Sequence, residues 1–204
     1  MPISGYRGVN VTVIKKSRFI ATVARTDSQA QARAVIADVR ATYPDARHHC
    51  VAFLIEEDEA RTSHSSDDGE PAGTAGIPML TSLMSADLVN ITAVVTRYFG
   101  GIKLGASGLT RAYAGAVTLA VADMPRVVNQ TQHVWGLMVT HGDAGKVAEE
   151  LIRAGATITA QTYDEHGVQL RFVYPQPPDA LVARVTQGSL QAVLIGSTKI
   201  EVPA

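Results

Sequence analysis

Beyond Met124-Pro125 the chain alternates short apolar runs with amphipathic stretches in a single order, and that order restricts its fold more than any other feature. Val134 to Thr140 reads as a strand, and Asp143 to Ala154 as a helix closed by Gly155. Thr157 to Tyr163 and Val168 to Tyr174 read as strands around Asp164-Glu165-His166-Gly167, a hairpin signal. Pro178 to Thr186 then reads as a helix and Ala192 to Val202 as a strand. A βαββαβ order within about 70 residues is the ferredoxin-like plan. It predicts a C-terminal domain over residues 128–204 and leaves residues 1–127 to form another.

The first part carries its own alternation. Val9 to Ala24 reads as one strand, its apolar positions interrupted by Lys15, Lys16 and Arg18. Ser28 followed by Gln31 has the spacing of a capping box, in which side chains satisfy free backbone N–H groups. Val35, Ile36, Val39 and Tyr43 then give a helix one apolar face, and Pro44 ends it. His48 to Glu57 reads as a strand from the run Val51 to Ile55. Asp58 to Gly76 has no periodicity and reads as one long loop. A short helix over Ile77 to Asp87 and a β-branched strand over Asn90 to Tyr98 follow. A glycine-rich turn from Phe99 to Gly108 then leads into a helix reaching about Ala122, with Ser107 placed to cap it.

A hydrophobic fraction of 46% against 18% charged residues excludes wholesale disorder. No apolar run reaches the roughly 18 residues of a membrane span. MPISGYRGVN has no apolar core of a secretory signal. Cys50 is the only cysteine, which excludes an internal disulfide and an all-cysteine zinc site. The expectation is a cytoplasmic protein. Its net charge of -1 conceals a segregation. Seven acids fall between Glu56 and Glu70 against Arg61 alone, while the rest of residues 1–127 has twelve Lys or Arg against five acids. A basic body with one acidic segment suits a polyanion partner, because fields are local and screened within about 8–10 Å; a solvated mixed surface has the same composition.

Three stretches have residue types suited to chemistry. Val94 to Arg111 runs from a strand through Gly100, Gly101, Gly105 and Gly108 into a helix, with Arg97, Lys103 and Arg111 beside the glycines. Free N–H groups and the helix dipole there favour an anion. The glycine spacing fits neither a Walker A loop nor G-x-G-x-x-G, and a tight connection whose glycines serve packing is the plainer reading. Asp67, Asp68 and Glu70 could act as acid and base or hold a hard cation, or bond backbone amides in a turn and pair with Arg97 or Lys103. His48 and Cys50 share one side of a strand, with His49 on the other. A lone cysteine on an apolar strand is more often buried packing.

Four blocks in order give a resemblance to a known family. Lys15-Lys16-Ser17-Arg18-Phe19-Ile20, Asp45-Ala46-Arg47-His48-His49-Cys50, Ser66 to Gly76, and Thr96-Arg97-Tyr98-Phe99-Gly100-Gly101-Ile102-Lys103-Leu104-Gly105 together resemble the IMPACT/YigZ family. The blocks cover most of residues 9–125, and the C-terminal βαββαβ resembles the second domain of bacterial members. Ala106-Ser107 stands where Thr-Gly or Gly-Gly is frequent, so the turn is stiffer here. The resemblance implies an N-terminal fold like the second domain of ribosomal protein S-five, related to domain four of elongation factor G. It implies a C-terminal fold like that factor's ferredoxin-like domain five. Eukaryotic members regulate translation under amino-acid starvation through an additional N-terminal domain. This chain starts at the first block, so that kinase-pathway role is not expected.

The expectation is thus a two-domain α+β protein that binds structured RNA or the ribosome and regulates translation, as in a stress response, without chemistry, cofactor or metal of its own. Lys15, Lys16, Arg18, Arg97, Lys103 and Arg111 are expected to line one groove, with Tyr98 stacking on bases and Gly100, Gly101 and Gly105 supplying N–H donors. His48, Asp68 and Glu70 are expected to support it, and Arg97→Ala to weaken RNA binding with little loss of stability. An enzyme acting on a phosphorylated small molecule or peptide through the glycine turn and Asp68 or Glu70 is the alternative. A protein-interaction module using the C-terminal sheet is a third reading.

Overall fold

A computed structural model describes residues 1–57 and 60–204. Asp58 and Glu59, two acids of the acidic segment, lie outside the described residues. The chain forms two compact units, residues 1–127 with 203–204, and residues 128–202.

In the first unit, β1 (Arg7–Ile14), β2 (Ser17–Arg25), β3 (His48–Glu57), β4 (Ala60–Ser66) and β5 (Ile91–Tyr98) make one sheet in the order β1-β2-β5-β3-β4. Every neighbouring pair is antiparallel. β5, the last in sequence, is central. Its residues and those of β2 and β3 are buried on both faces, which is why these strands read as apolar runs rather than alternations. On one face Phe19, Ala21, Val23, Ala52, Leu54, Ala93 and Val95 pack under α2 (Gly76–Ser85) and α3 (Ala106–Val121). On the other, Val51, Phe53, Ile55 and Val94 meet Ala32 and Val39 of α1 (Gln29–Thr42). Each large apolar side chain fully buried this way contributes about 1.5–3 kcal/mol.

Three local expectations are corrected. Val9 to Ala24 is not one strand. Lys15 and Lys16 lie at φ +45° and +63° and form the turn between β1 and β2, a two-residue turn of the left-handed kind without the usual Asn-Gly. The long loop after β3 contains β4, a half-exposed polar edge strand whose residues have no apolar alternation to reveal it. Ser107 lies inside α3, and the cap is Gly105, which supplies no side-chain bond. At α1 the capping side chain is Ser28, whose Oγ accepts the Gln31 N–H at 3.3 Å, while Gln31 Oε1 accepts from the Asp27 N–H.

Apart from Val127 and Pro203, which fall in the first unit, the second unit is made of β6 (Val127–Val139), α4 (Ala144–Arg153), β7 (Thr157–Asp164), β8 (Gly167–Val173), α5 (Asp179–Val185) and β9 (Val193–Pro203). Its sheet order is β7-β8-β6-β9. Leu137, Val139, Val168, Leu170 and Phe172 pack beneath Val147, Leu151, Leu181 and Val182 of the two helices. Among the described residues, no helix is long and apolar enough to cross a membrane.

Candidate functional site

Antiparallel pairing brings the start of β2, the start of β3 and the end of β5 to one end of the five-stranded sheet. The registers Arg18↔Tyr98, Phe19↔Arg97 and His48↔Arg97 fix that convergence. The Lys15-Lys16 turn, the segment 43–47 and the connection 99–105 therefore meet there. Gly100 N–H donates to Ser17 Oγ at 3.1 Å, and a Cβ on Gly100 would overlap the backbone of Lys16 and Ser17. Glycine is required at that close approach. It is required again at Gly105, whose φ of +72° and ψ of 168° lie in a region essentially closed to other residues.

Arg97 is placed by a buried network. Its Nη1 donates to Glu70 Oε1 at 2.6 Å, and Tyr113 donates its hydroxyl to the same oxygen at 2.7 Å. Burial, first, and then Cys50 and Glu70 nearby push the Tyr113 phenol well above its usual range, so it stays protonated and remains a donor. The Arg97 guanidinium lies over the rings of Phe19 and of Phe99, 5.5 and 5.6 Å from their centroids. Only 8% of the Arg97 side chain is exposed, yet among the described residues only one of its five N–H groups has a protein acceptor, and the buried Nε has no partner there.

Beside this network is a cavity of about 740 Å³. Pro71, Phe99, Leu104 and Leu109 give it apolar walls, Arg47, His48, Arg97, Tyr98 and Lys103 give it polar ones, and the carboxylates of Asp45 and Glu70 stand among them. Gly105 and Ala106 open it to the first turn of α3, which has no side-chain cap and no acidic residue. The free N–H groups and dipole there attract an anion. His48 Nδ1 is 2.9 Å from the Asp68 carbonyl; since a carbonyl only accepts, Nδ1 carries the proton. Nε2 of the neutral ring is then left as an acceptor. Tyr98 donates to Asp45 Oδ1 at 2.7 Å, which raises the phenol's pKa and lowers that of Asp45. Arg18 lies over the Tyr98 ring at 4.6 Å.

The expected groove residues divide. Arg97, Tyr98, Lys103 and Gly105 line the cavity, with His48 and Glu70. Lys15, Lys16, Arg18, Gly100 and Gly101 lie outside it, joined through the Gly100 contact and the Tyr98 ring. Arg111 is exposed on α3 and does not line it. Asp68 does not orient the site's arginines. Its Oδ1 pairs with Arg40 at 2.6 Å and its Oδ2 accepts the His49 N–H at 2.6 Å. Asp67 accepts N–H groups of Gly73, Ala75 and Gly76, which satisfies the start of α2. Cys50 is fully buried, donates to the Asp67 carbonyl at 3.0 Å, and burial pushes its pKa up to about 12. Asp45, Arg47, Phe99 and Tyr113 complete the site, and the sequence reading did not single them out. The first three stand inside blocks quoted above, whereas Tyr113 reads as one more residue of an apolar helix face. Among the described residues, no group of three or more His, Cys, Asp or Glu side chains is arranged to hold a metal ion.

The family model of the Impact N-terminal domain matches residues 15–121. The IMPACT family member YigZ of Escherichia coli is 53% identical over 115 residues, which cover 56% of each chain. The alignment thus spans about half the length of that relative. The IMPACT family member YvyE of Bacillus subtilis is 36% identical over 159 residues, covering 78% of this chain and 73% of its own. A crystal structure titled as that of a hypothetical protein superposes with a TM-score of 0.64 at 38% identity, covering 96% of both chains.

Proposed function

The chain belongs to the IMPACT family, and from that premise we propose that it is a translation regulator that binds RNA, on the ribosome, at the end of its five-stranded sheet. The observation that carries this reading is the Arg97 guanidinium, held by Glu70 and bordering a cavity shared with Arg47 and Lys103, with most of its donors unused by the described residues. Phosphate is the group that such donors, Arg47, Lys103 and an uncapped helix start recognise together. Phe99, 59% exposed, and Tyr98 offer rings on which unstacked bases can lie. Lys15, Lys16, Arg18 and Arg111 supply positive charge for neighbouring phosphates.

The fold supports the same assignment. We read residues 1–127 as a domain like the second domain of ribosomal protein S-five, and residues 128–204 as a ferredoxin-like domain. The βαββαβ order and the sheet order β7-β8-β6-β9 support the latter. The cytoplasm is the compartment this function implies. Binding requires no chemistry of the chain's own.

Co-sedimentation with ribosomes and subunits across a salt series tests the reading. Pelleting that weakens steeply with salt and is reduced in Lys103→Ala and Phe99→Ala is the expected result. No pelleting at low salt would remove direct ribosome association. A second reading, an enzyme acting on a phosphorylated small molecule, rests on His48, whose fixed Nδ1 leaves Nε2 available as a base at the cavity. Asp68 is held by Arg40 and Glu70 by Arg97, and neither ion-paired carboxylate suits that role. The enzyme reading predicts turnover of a phosphorylated metabolite that is lost in His48→Gln.

A further inference from the structure

The cavity and the surface outside it differ in what they ask of a ligand. Outside, Lys15, Lys16, Arg18 and Arg111 are exposed, and their attraction for phosphates is screened and indifferent to the ligand's form. Inside, one positive group is of a different kind, the buried Arg97. Glu70 already balances Arg97 electrically, so Arg97 adds directional donors rather than net charge. Arg47 and Lys103 have no ion-pair partner among the described residues, and both line the cavity, where the Asp45 carboxylate offsets one of their two charges. The start of α3 adds the partial positive charge of its N–H groups, about half an elementary charge. A Cβ on Gly105 would meet nothing within 4 Å, so the space above that helix start is open to a guest.

That set exceeds what one internal phosphodiester, with its single charge and two free oxygens, brings. It matches a phosphate monoester, which carries roughly −1.5 to −2 charges at pH 7 and three acceptor oxygens. At about 740 Å³ the cavity also falls within the range that encloses one small ligand, roughly 300–1,000 Å³. We propose that the cavity seats the terminal phosphate of an RNA strand, the monoester resting on the start of α3 between Arg47 and Lys103. The end nucleotide then lies against Phe99 and Tyr98, and the remaining strand leaves over the exposed basic residues. This inference rests on the RNA-binding reading above.

Fluorescence anisotropy with one short single-stranded RNA in three forms tests it: 5′-phosphorylated, 3′-phosphorylated, and hydroxyl at both ends. One phosphorylated form is expected to bind about tenfold tighter than the hydroxyl form, because charge-assisted bonds to the extra oxygen are strong. The favoured form identifies the end. In Lys103→Ala and Arg47→Ala, both changed at surface positions, that advantage is expected to shrink to about twofold or less while the hydroxyl form loses less affinity. Adenosine 5′-monophosphate is expected to displace the favoured RNA, and adenosine is not. Equal affinity for all three forms would overturn end recognition and leave RNA binding standing. An advantage undiminished in both variants, or no displacement by the monophosphate, would overturn it too. No binding of any form would overturn both readings together.

Discussion

Arg97 and Glu70 form a 2.6 Å ion pair with only 8% and 3% of their side chains exposed. The pair is therefore part of the core as well as part of the site. The sequence alone places Arg97 as a phosphate ligand in a groove, whose loss costs little stability. Its burial reverses that expectation, since removing one member of a buried pair leaves the other charge without compensation.

Glu70→Ala and Arg97→Ala should each lower unfolding free energy by about 3–5 kcal/mol, as measured by urea denaturation. The double variant Glu70→Leu with Arg97→Met, which removes both charges and keeps apolar volume, should be more stable than either single variant. Single variants within about 1 kcal/mol of the parent would show that the pair is hydrated and weak.

The two lysines at the β1–β2 turn offer the opposite combination of effects. Both hold positive φ, which glycine tolerates and lysine does not favour. Lys16→Gly should raise stability by up to about 1 kcal/mol. If the lysine contacts a phosphate, the same change should flatten the salt dependence of RNA binding by about 0.7–0.9 in log–log slope. An unchanged slope would remove Lys16 from the interface.

Cys50 should be silent to thiol reagents in the folded protein. Burial holds its pKa at about 12, and a thiol, unlike a thiolate, is a poor nucleophile. Iodoacetamide at pH 8 should label it only after denaturation. Rapid labelling of the native chain would show that the face under α2 and α3 opens readily.

Asp67 gives the acid limb of stability a specific origin. Burial alone would raise its pKa, but the N–H groups of Gly73, Gly76 and Ala75 together outweigh it and the pKa is lowered. A carboxyl with a lowered folded pKa stabilises fully above its ordinary value, about 3.9, and ceases to as pH falls through the folded value. Asp67→Ala should thus cost about 2 kcal/mol at pH 7, and the difference from the parent should narrow below pH 4. A difference that stays constant into acid would mean that the cost is loop packing rather than the charge.

What was legible in the sequence followed from periodicity and strong punctuation. β3 was readable over His48 to Glu57 because a central strand is apolar on both faces, and α1 because Ser28 and Pro44 bracket one apolar stripe. The Lys15-Lys16 turn was not legible, since it has neither glycine nor asparagine and its geometry is imposed by pairing of β1 with β2. β4 was missed because an edge strand with polar residues on both faces has no hydrophobic signature. At the site, Lys103 and the glycines were visible as a basic strand–turn–helix. The pairing of Glu70 with Arg97 was one of the alternatives read there, but the role of Tyr113 was not visible, because it depends on a contact 43 residues away.

The position of β5 has a consequence in time. It is the central strand of its sheet and also the last of the five to be synthesised. Until it emerges, β2 and β3 lack their shared neighbour, and the partly made chain can form only its two outer hairpins. Each would expose an unpaired strand edge while the ribosome adds the intervening residues. Non-local pairing of this kind slows folding and leaves nascent chains open to wrong partners. Arg97 and Tyr98 arrive at the very end of β5, so the surface that would hold RNA comes into being only when the sheet itself is complete.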